Sequence, residues 1–495
     1  MRLIFVAALA SVLAGCVTQP SLGTVDFPIS CSRPAQVEFN RAVALLHNMT
    51  YPQGREAFQH VTEIEPACAM AHWGIAMTLF QPLWPTRPSP QDLLQGWDEV
   101  QKAKRGMGTQ REQLFIAAAE AFFAEPASRD YWSRIRSWES AMEHVYRSFP
   151  NDPEAATFYA LAHLAVSTPA TARANADRAA EILASVLARD PDHPGAMHYM
   201  IHANDVPGRE HDSLEVTHRY SEVAPRNPHA LHMPTHIYTR LGEWDNVISG
   251  NLQAAAAALE HPAGEHGELV WDEFPHAIEY LVYAYLQKGM HDEAGAQVRR
   301  LLATRNLEPT FKTAFHLASS QARYALERHA WNEAVALEPR EPAILDWARF
   351  AWPEAITHFA RGLGAVHLND ERVTAASIER LTALEASTRT AGEEIFANNI
   401  QMLRLELSAW VAHAHGKERE AVDVMRQAAA LEASTPKHAV TPGPTLPAEE
   451  LLGDMLMEQG RTADALAAYQ RALNFYPGRL NSLRGSASLQ KELIK

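Results

Sequence analysis

The chain is poor in cysteine, with three in 495 residues, so it is not a disulfide-dense scaffold. It is also short of basic residues: 44 Lys and Arg face 59 Asp and Glu, a formal net charge of −15. Phosphate binding needs a basic face, so this balance argues against nucleic acid as the main partner. After the first residues no apolar run is long enough to cross a bilayer. There is no His-Glu-x-x-His, no Gly-x-Ser-x-Gly, no phosphate-binding glycine loop and no dinucleotide fingerprint. No known catalytic signature therefore names a reaction. Hydrophobic residues at 47% and charged residues at 21% describe a globular chain, too long for one ordinary compact domain. What the chain has in excess is histidine, with 24 copies.

The first residues, "MRLIFVAALASVLAGC", read as an export signal: one basic residue, a short apolar segment, then small residues. The ending Leu13-Ala14-Gly15-Cys16 resembles the lipobox of bacterial lipoproteins. That resemblance implies removal of residues 1–15 and lipids on Cys16. The protein would then be anchored in a membrane on the extracytoplasmic side, periplasmic or at the cell surface. The alternative is an ordinary signal with an incidental cysteine. Residues 16–32 then read as a tether, and Cys31 and Cys68 are left to meet an oxidising compartment.

The C-terminal stretch "LPAEELLGDMLMEQGRTADALAAYQRALNFYPGR" places small residues at Gly453, Gly460, Ala465 and Ala472, an aromatic at Tyr469 and a proline at Pro477. It resembles the tetratricopeptide repeat, a 34-residue helix–turn–helix unit. With Leu446 as position 1, Gly453 is position 8, Gly460 is 15, Ala465 is 20, Ala472 is 27 and Pro477 is 32. The same ruler starts units at Pro194, Pro228, Pro275 and Phe315. The expected fold is an all-α, tetratricopeptide-type solenoid of about ten repeats over residues 33–482, a right-handed superhelix without a sheet, with a tail at 483–495. Inner helices would line a concave groove. Cys31 and Cys68 would fall at the same end of the first hairpin, as a disulfide or as two unpaired thiols.

On a helix, positions 2, 5 and 9 share a face, and in this family they face the groove. His198 and His202 occupy positions 5 and 9 of one unit; His232 and His236 occupy them in the next. Imidazole pairs spaced i, i+4 present two nitrogens to a metal, so these four are expected to share one ion. The all-nitrogen donor set favours Zn, Cu or Ni. Asp205, His229, His276, Glu279, Tyr283, Arg323 and His438 are further ligand or groove candidates. Two other readings fit the same residues: a His-lined groove for a peptide or small ligand, and a buried polar network. His193, His211, His218, His261, His266 and His291 read as solvated, and His163 as core. Arg323 reads as a holder of a carboxylate or peptide C-terminus. In "KHAVTPGPTLP" prolines fix an extended path that puts His438 within reach of the superhelix interior.

The expected function is a lipid-anchored binding scaffold with a protein or peptide partner in its groove and no nucleic acid. The alternative is a metal-dependent enzyme, a hydrolase or oxidase, on the same histidines, with Glu279 the one candidate base.

Overall fold

The structure, a computed structural model, describes residues 21–264 and 267–493. The export segment 1–15, Cys16 and the start of the tether lie outside the described residues, as does His266.

Inner helices begin where the sequence supplies a pre-set φ and a cap. Pro194 and Pro228 occupy first helical turns, where proline's missing N–H costs nothing. The side chain of Asn227 accepts from Ala230 N at 2.9 Å. The turns between paired helices need a left-handed backbone. Gly242, Gly289, Gly416 and Gly460, all at repeat position 15, have φ of 70 to 73°. At position 8 a Cβ on Gly453 would lie 2.6 Å from the Tyr469 ring, so only glycine lets this helix pair close. Hairpin follows hairpin in this way, an all-α tetratricopeptide-like solenoid. Among the described residues the only β pairing is two isolated bridges, Ala263 with Leu269 and Val270 with Leu307. No described helix is long and apolar enough to cross a membrane.

Pro234 interrupts the inner helix of its unit. The helix runs Pro228–His232 and resumes as Pro234–Leu241, with Met233 still helical at φ −53° and ψ −40°. The axis is broken but the face is kept.

Two segments read as appendages belong to the body. From residue 21 the tether packs along the first hairpin. Phe27 is fully buried, with ring centroids 5.3 Å from Phe39, 5.4 Å from Trp73 and 4.8 Å from Phe115. At the other end Leu480–Leu493 is a helix, not a tail, and Leu489 is buried against the last repeat. An aromatic in the one and a buried leucine in the other provide apolar area that pays for order. Cys31 and Cys68 are joined as a disulfide, with Cα atoms 5.6 Å apart.

The solenoid curls far enough to touch itself. Arg87 makes two hydrogen bonds to Glu393, at 3.1 and 2.9 Å. Trp244 Nε1 donates to Gly478 O at 3.1 Å. The Pro-rich segment 436–447 runs through the interior. Arg323 donates to the carbonyls of Gly443 at 2.6 Å, Pro444 at 2.7 Å and Thr445 at 3.2 Å. Of the two expected roles of Arg323, it does hold a carboxylate, that of Glu279 at 3.1 Å, and the place expected for a peptide C-terminus is taken by the chain's own backbone. The inner histidines are interleaved with the two large apolar clusters, His198 and His202 in the stretch that ends one at Ala203, and His232, His236 and His276 in the stretch that opens the other at Leu231.

Candidate metal centre

The four histidines expected on one ion are divided into two sets of three. His198, His202 and His229 bring ligand nitrogens within 4.8 Å of one another, and so do His232, His236 and His276. Each set has positions 5 and 9 of one repeat and position 2 of the next. Nε2 of His198 is 2.9 Å from Nε2 of His229 and 3.1 Å from Nε2 of His202. Nε2 of His232 is 3.0 Å from Nε2 of His236. Two nitrogens held at about 2.1 Å from one ion, at 90 to 110°, stand roughly 3.0–3.4 Å apart. The sets adjoin, with ring centroids 5.9 Å apart for His202 and His236 and 6.2 Å apart for His229 and His232.

The far nitrogens fix the tautomers. His198 Nδ1 is 2.7 Å from the His47 carbonyl oxygen, which only accepts. His229 Nδ1 is 3.2 Å from Glu273, a carboxylate that burial would protonate but Lys312 and His229 keep ionised. His232 Nδ1 faces Asn251 Oδ1 at 2.7 Å, and the Asn251 amide nitrogen donates to Val247 O. His236 Nδ1 donates to Asp205 at 2.9 Å. His276 Nδ1 donates to His316 Nε2 at 2.9 Å, and His316 Nδ1 donates to Glu279 at 2.5 Å. Five of the six rings thus carry their proton on Nδ1 and turn a bare lone pair inward.

Neutral rings so arranged cannot hydrogen-bond across the His198–His229 or His232–His236 contacts. A second proton on one ring of each pair would be required. Burial opposes this first, and the neighbouring histidines second. They hold His198, His202, His232 and His276 well below the ordinary histidine value. His236 is lowered to about 4, again mainly by burial. Convergent lone pairs suit a soft or borderline divalent cation, and the acceptor behind each of these five rings is the usual support of a ligating imidazole.

A third cluster fails the same test. His47, Glu154 and His193 also converge. But His193 Nδ1 accepts from Ala196 N at 3.2 Å, so its Nε2 carries the proton and points at Glu154, 3.3 Å away. His47 Nε2 meets the other oxygen of Glu154 at 2.8 Å. Burial alone would raise the Glu154 carboxyl; His47 and His193 outweigh it and keep it ionised. This is an internal ion-pair network that braces the His47 carbonyl behind His198.

Among the remaining sequence candidates, Asp205 is an acceptor for His236 and is also held by Arg240 at 2.5 Å and Lys437 at 2.7 Å. Glu279 does not reach the histidine nitrogens of either set. It is bonded to His316, Ser319 and Arg323, which leaves it no free oxygen for base work. Tyr283 lies away from both sets, beneath the guanidinium groups of Arg323 and Arg479. His438 belongs to neither set; it lines a cavity that His202 also lines. His193, expected to be solvated, is 1% exposed because it caps its helix. His163, expected in the core, is half-buried and bonded to Glu139. The residues not foreseen are His316, Glu273, Lys312, Asn251 and the His47–Glu154 pair. His316 had a signal: it occupies position 2 of its unit, as His229 and His276 do.

No protein-family model matches the chain, and neither does any curated protein. Among solved structures it is similar to a human IFIT1 dimer with m7Gppp-AAAA, at 13% identity over 82% of this chain and 89% of that chain, TM-score 0.40. A monomeric IFIT1 mutant with Gppp-AAAA gives 11% identity over 86% and 90%, TM-score 0.41. A human IFIT1 dimer with PPP-AAAA gives 14% over 80% and 72%, TM-score 0.32. The likeness is one of helical chain path and says nothing of the histidines. Those IFIT1 structures hold capped or triphosphate RNA; the expectation of no nucleic acid, drawn from net charge alone, is not carried forward.

Proposed function

We propose that the protein is a metal-binding helical-repeat scaffold that holds two transition-metal ions, one on His198, His202 and His229, the other on His232, His236 and His276. The observation that carries this reading is the inward turn of Nε2 lone pairs on rings of which five in six have the Nδ1 proton committed elsewhere. Imidazole-only donors favour Cu, Zn or Ni over Mg or Ca. The lipobox-like leader and the Cys31–Cys68 disulfide support an exported, lipid-anchored protein. A peptide in the groove has less support, because residues 436–447 of the chain itself lie there.

The test is metal analysis of untagged protein after dialysis. The expected content is close to two ions per chain, falling to about one in His198→Ala and about one in His232→Ala. Protein without bound metal, or metal content indifferent to both substitutions, overturns the proposal.

A further inference from the structure

The two sets differ in what surrounds them. His232, His236 and His276 are 0, 1 and 2% exposed, sealed by Tyr280 and Trp84. In the first set His198 and His229 are equally buried, but His202 is not, and it forms part of the wall of a cavity of about 150 Å³. That volume is well above the roughly 10–15 Å³ that one water requires. His202 Nδ1 makes no hydrogen bond to a described residue, which leaves this ring the freest of the six to adjust.

The cavity wall is charged in a definite sense. Lys437 and Asp205 lie on it, with Arg240 behind Asp205; Arg87 and Glu393 lie on it as an ion pair. Three cations stand against two carboxylates, and a bound metal adds its own charge. His438 contributes a donor: its Nδ1 accepts from Val440 N at 3.1 Å, so its proton is on Nε2. Three protein nitrogens on one ion leave a coordination position open, the arrangement of reactive rather than structural sites.

We propose that the ion on His198, His202 and His229 is the reactive one, and that the cavity beside His202 admits a small anion to its open position. This rests on the metal-binding reading above. The sealed set is then a structural or charge-relay partner, and the chain is equipped for small-molecule chemistry at one metal only. The recognised ligand is a small inorganic anion or carboxylate, held by the metal on one side and by Lys437 and the His438 N–H on the other.

The experiment loads untagged protein with Cu(II), verifies the copper content, and titrates inorganic azide while following the azide-to-copper charge-transfer absorption. One azide per chain is expected, with saturable binding. Val206→Trp, which fills the cavity from its rim, should keep the copper and lose the band. Lys437→Gln should weaken azide about tenfold. His276→Ala should leave the band in place, and His229→Ala should remove it. Copper retention without an azide band in the wild type overturns this inference and leaves metal binding intact. A band lost in His276→Ala and kept in His229→Ala overturns it as well, by assigning the ligand to the other ion. Failure to bind copper at all overturns both this inference and the reading beneath it.

Discussion

Nε2 of His198 stands 2.9 Å from Nε2 of His229, on the neighbouring repeat, while the other nitrogen of each ring is held by an acceptor. Two buried lone pairs at that distance repel unless a proton or a metal ion lies between them, and metal binding supplies such an ion. Binding to the folded state alone stabilises by about 2.7 kcal/mol when free metal is a hundred times Kd. Thermal melts should show the metal-loaded protein several degrees above the chelated one. The gap should shrink in His229→Ala and again in the His229→Ala, His276→Ala double variant. Identical melting with and without metal would argue against ions at these rings.

The acceptors behind the rings make a separable prediction. Asp205 orients His236 and Glu273 orients His229, at 2.9 and 3.2 Å. Loss of such a partner usually costs 10–100-fold in metal affinity. Asp205→Asn should weaken the His232–His236–His276 ion by that factor and spare the other; Glu273→Gln should do the reverse. Glu279→Gln acts at two removes, through His316, and should weaken only the ion on His276. Competition titrations with a chromogenic chelator read all three. Equal losses from both ions in every variant would point to general destabilisation.

The inner face was legible in the sequence because a helix has one period, and the ruler of prolines and glycines fixed its phase. It placed His198, His202, His232 and His236 on that face, and named His229 and His276 beside them. What it did not supply was the axial offset between neighbouring inner helices. Position 2 of one repeat lies level with positions 5 to 9 of the one before, an offset of roughly one turn, or about 5 Å. The rings therefore group across the repeat boundary rather than within the i, i+4 pairs alone. The same rule continues one step further: Glu279 at position 5 meets His316 at position 2 of the next unit. The Pro-rich strap was out of reach of this reasoning, because its place is set by long-range contacts, Arg323 to Gly443 among them.

One buried cation ties the last repeat to the middle of the solenoid. Arg479 is 0% exposed and ion-paired with both Glu327 and Glu450. Removing one partner of a buried ionic network leaves the others uncompensated, at about 3–5 kcal/mol. Arg479→Met should lower the midpoint of urea unfolding by a corresponding amount, and a shift under 1 kcal/mol would show that Glu327 and Glu450 protonate without strain. The triple variant Arg479→Met, Glu327→Gln, Glu450→Gln should recover much of the loss, because no bare charge remains.

Two half-buried carboxyls near that clamp give a pH signature of known sign. Burial first, then neighbouring acids, raises Asp454 to about 7; Glu432 is also raised to about 7, chiefly by burial. A carboxyl whose folded value is raised binds its proton more tightly when folded. Its stabilising contribution is present at low pH and is lost as pH rises from the ordinary carboxylate range through about 7. The buried histidines, with lowered values, act in the opposite direction across part of the same window, so the comparison must be between variant and wild type. Asp454→Asn keeps an oxygen for the Tyr469 hydroxyl, which now donates at 2.6 Å, and removes the titration. Relative to wild type, Asp454→Asn and Glu432→Gln should each gain stability between pH 5 and pH 8, with most of the gain below pH 7.5. Unfolding midpoints in urea across that range measure it, and a difference that stays flat with pH would mean that neither carboxyl holds its proton in the folded chain.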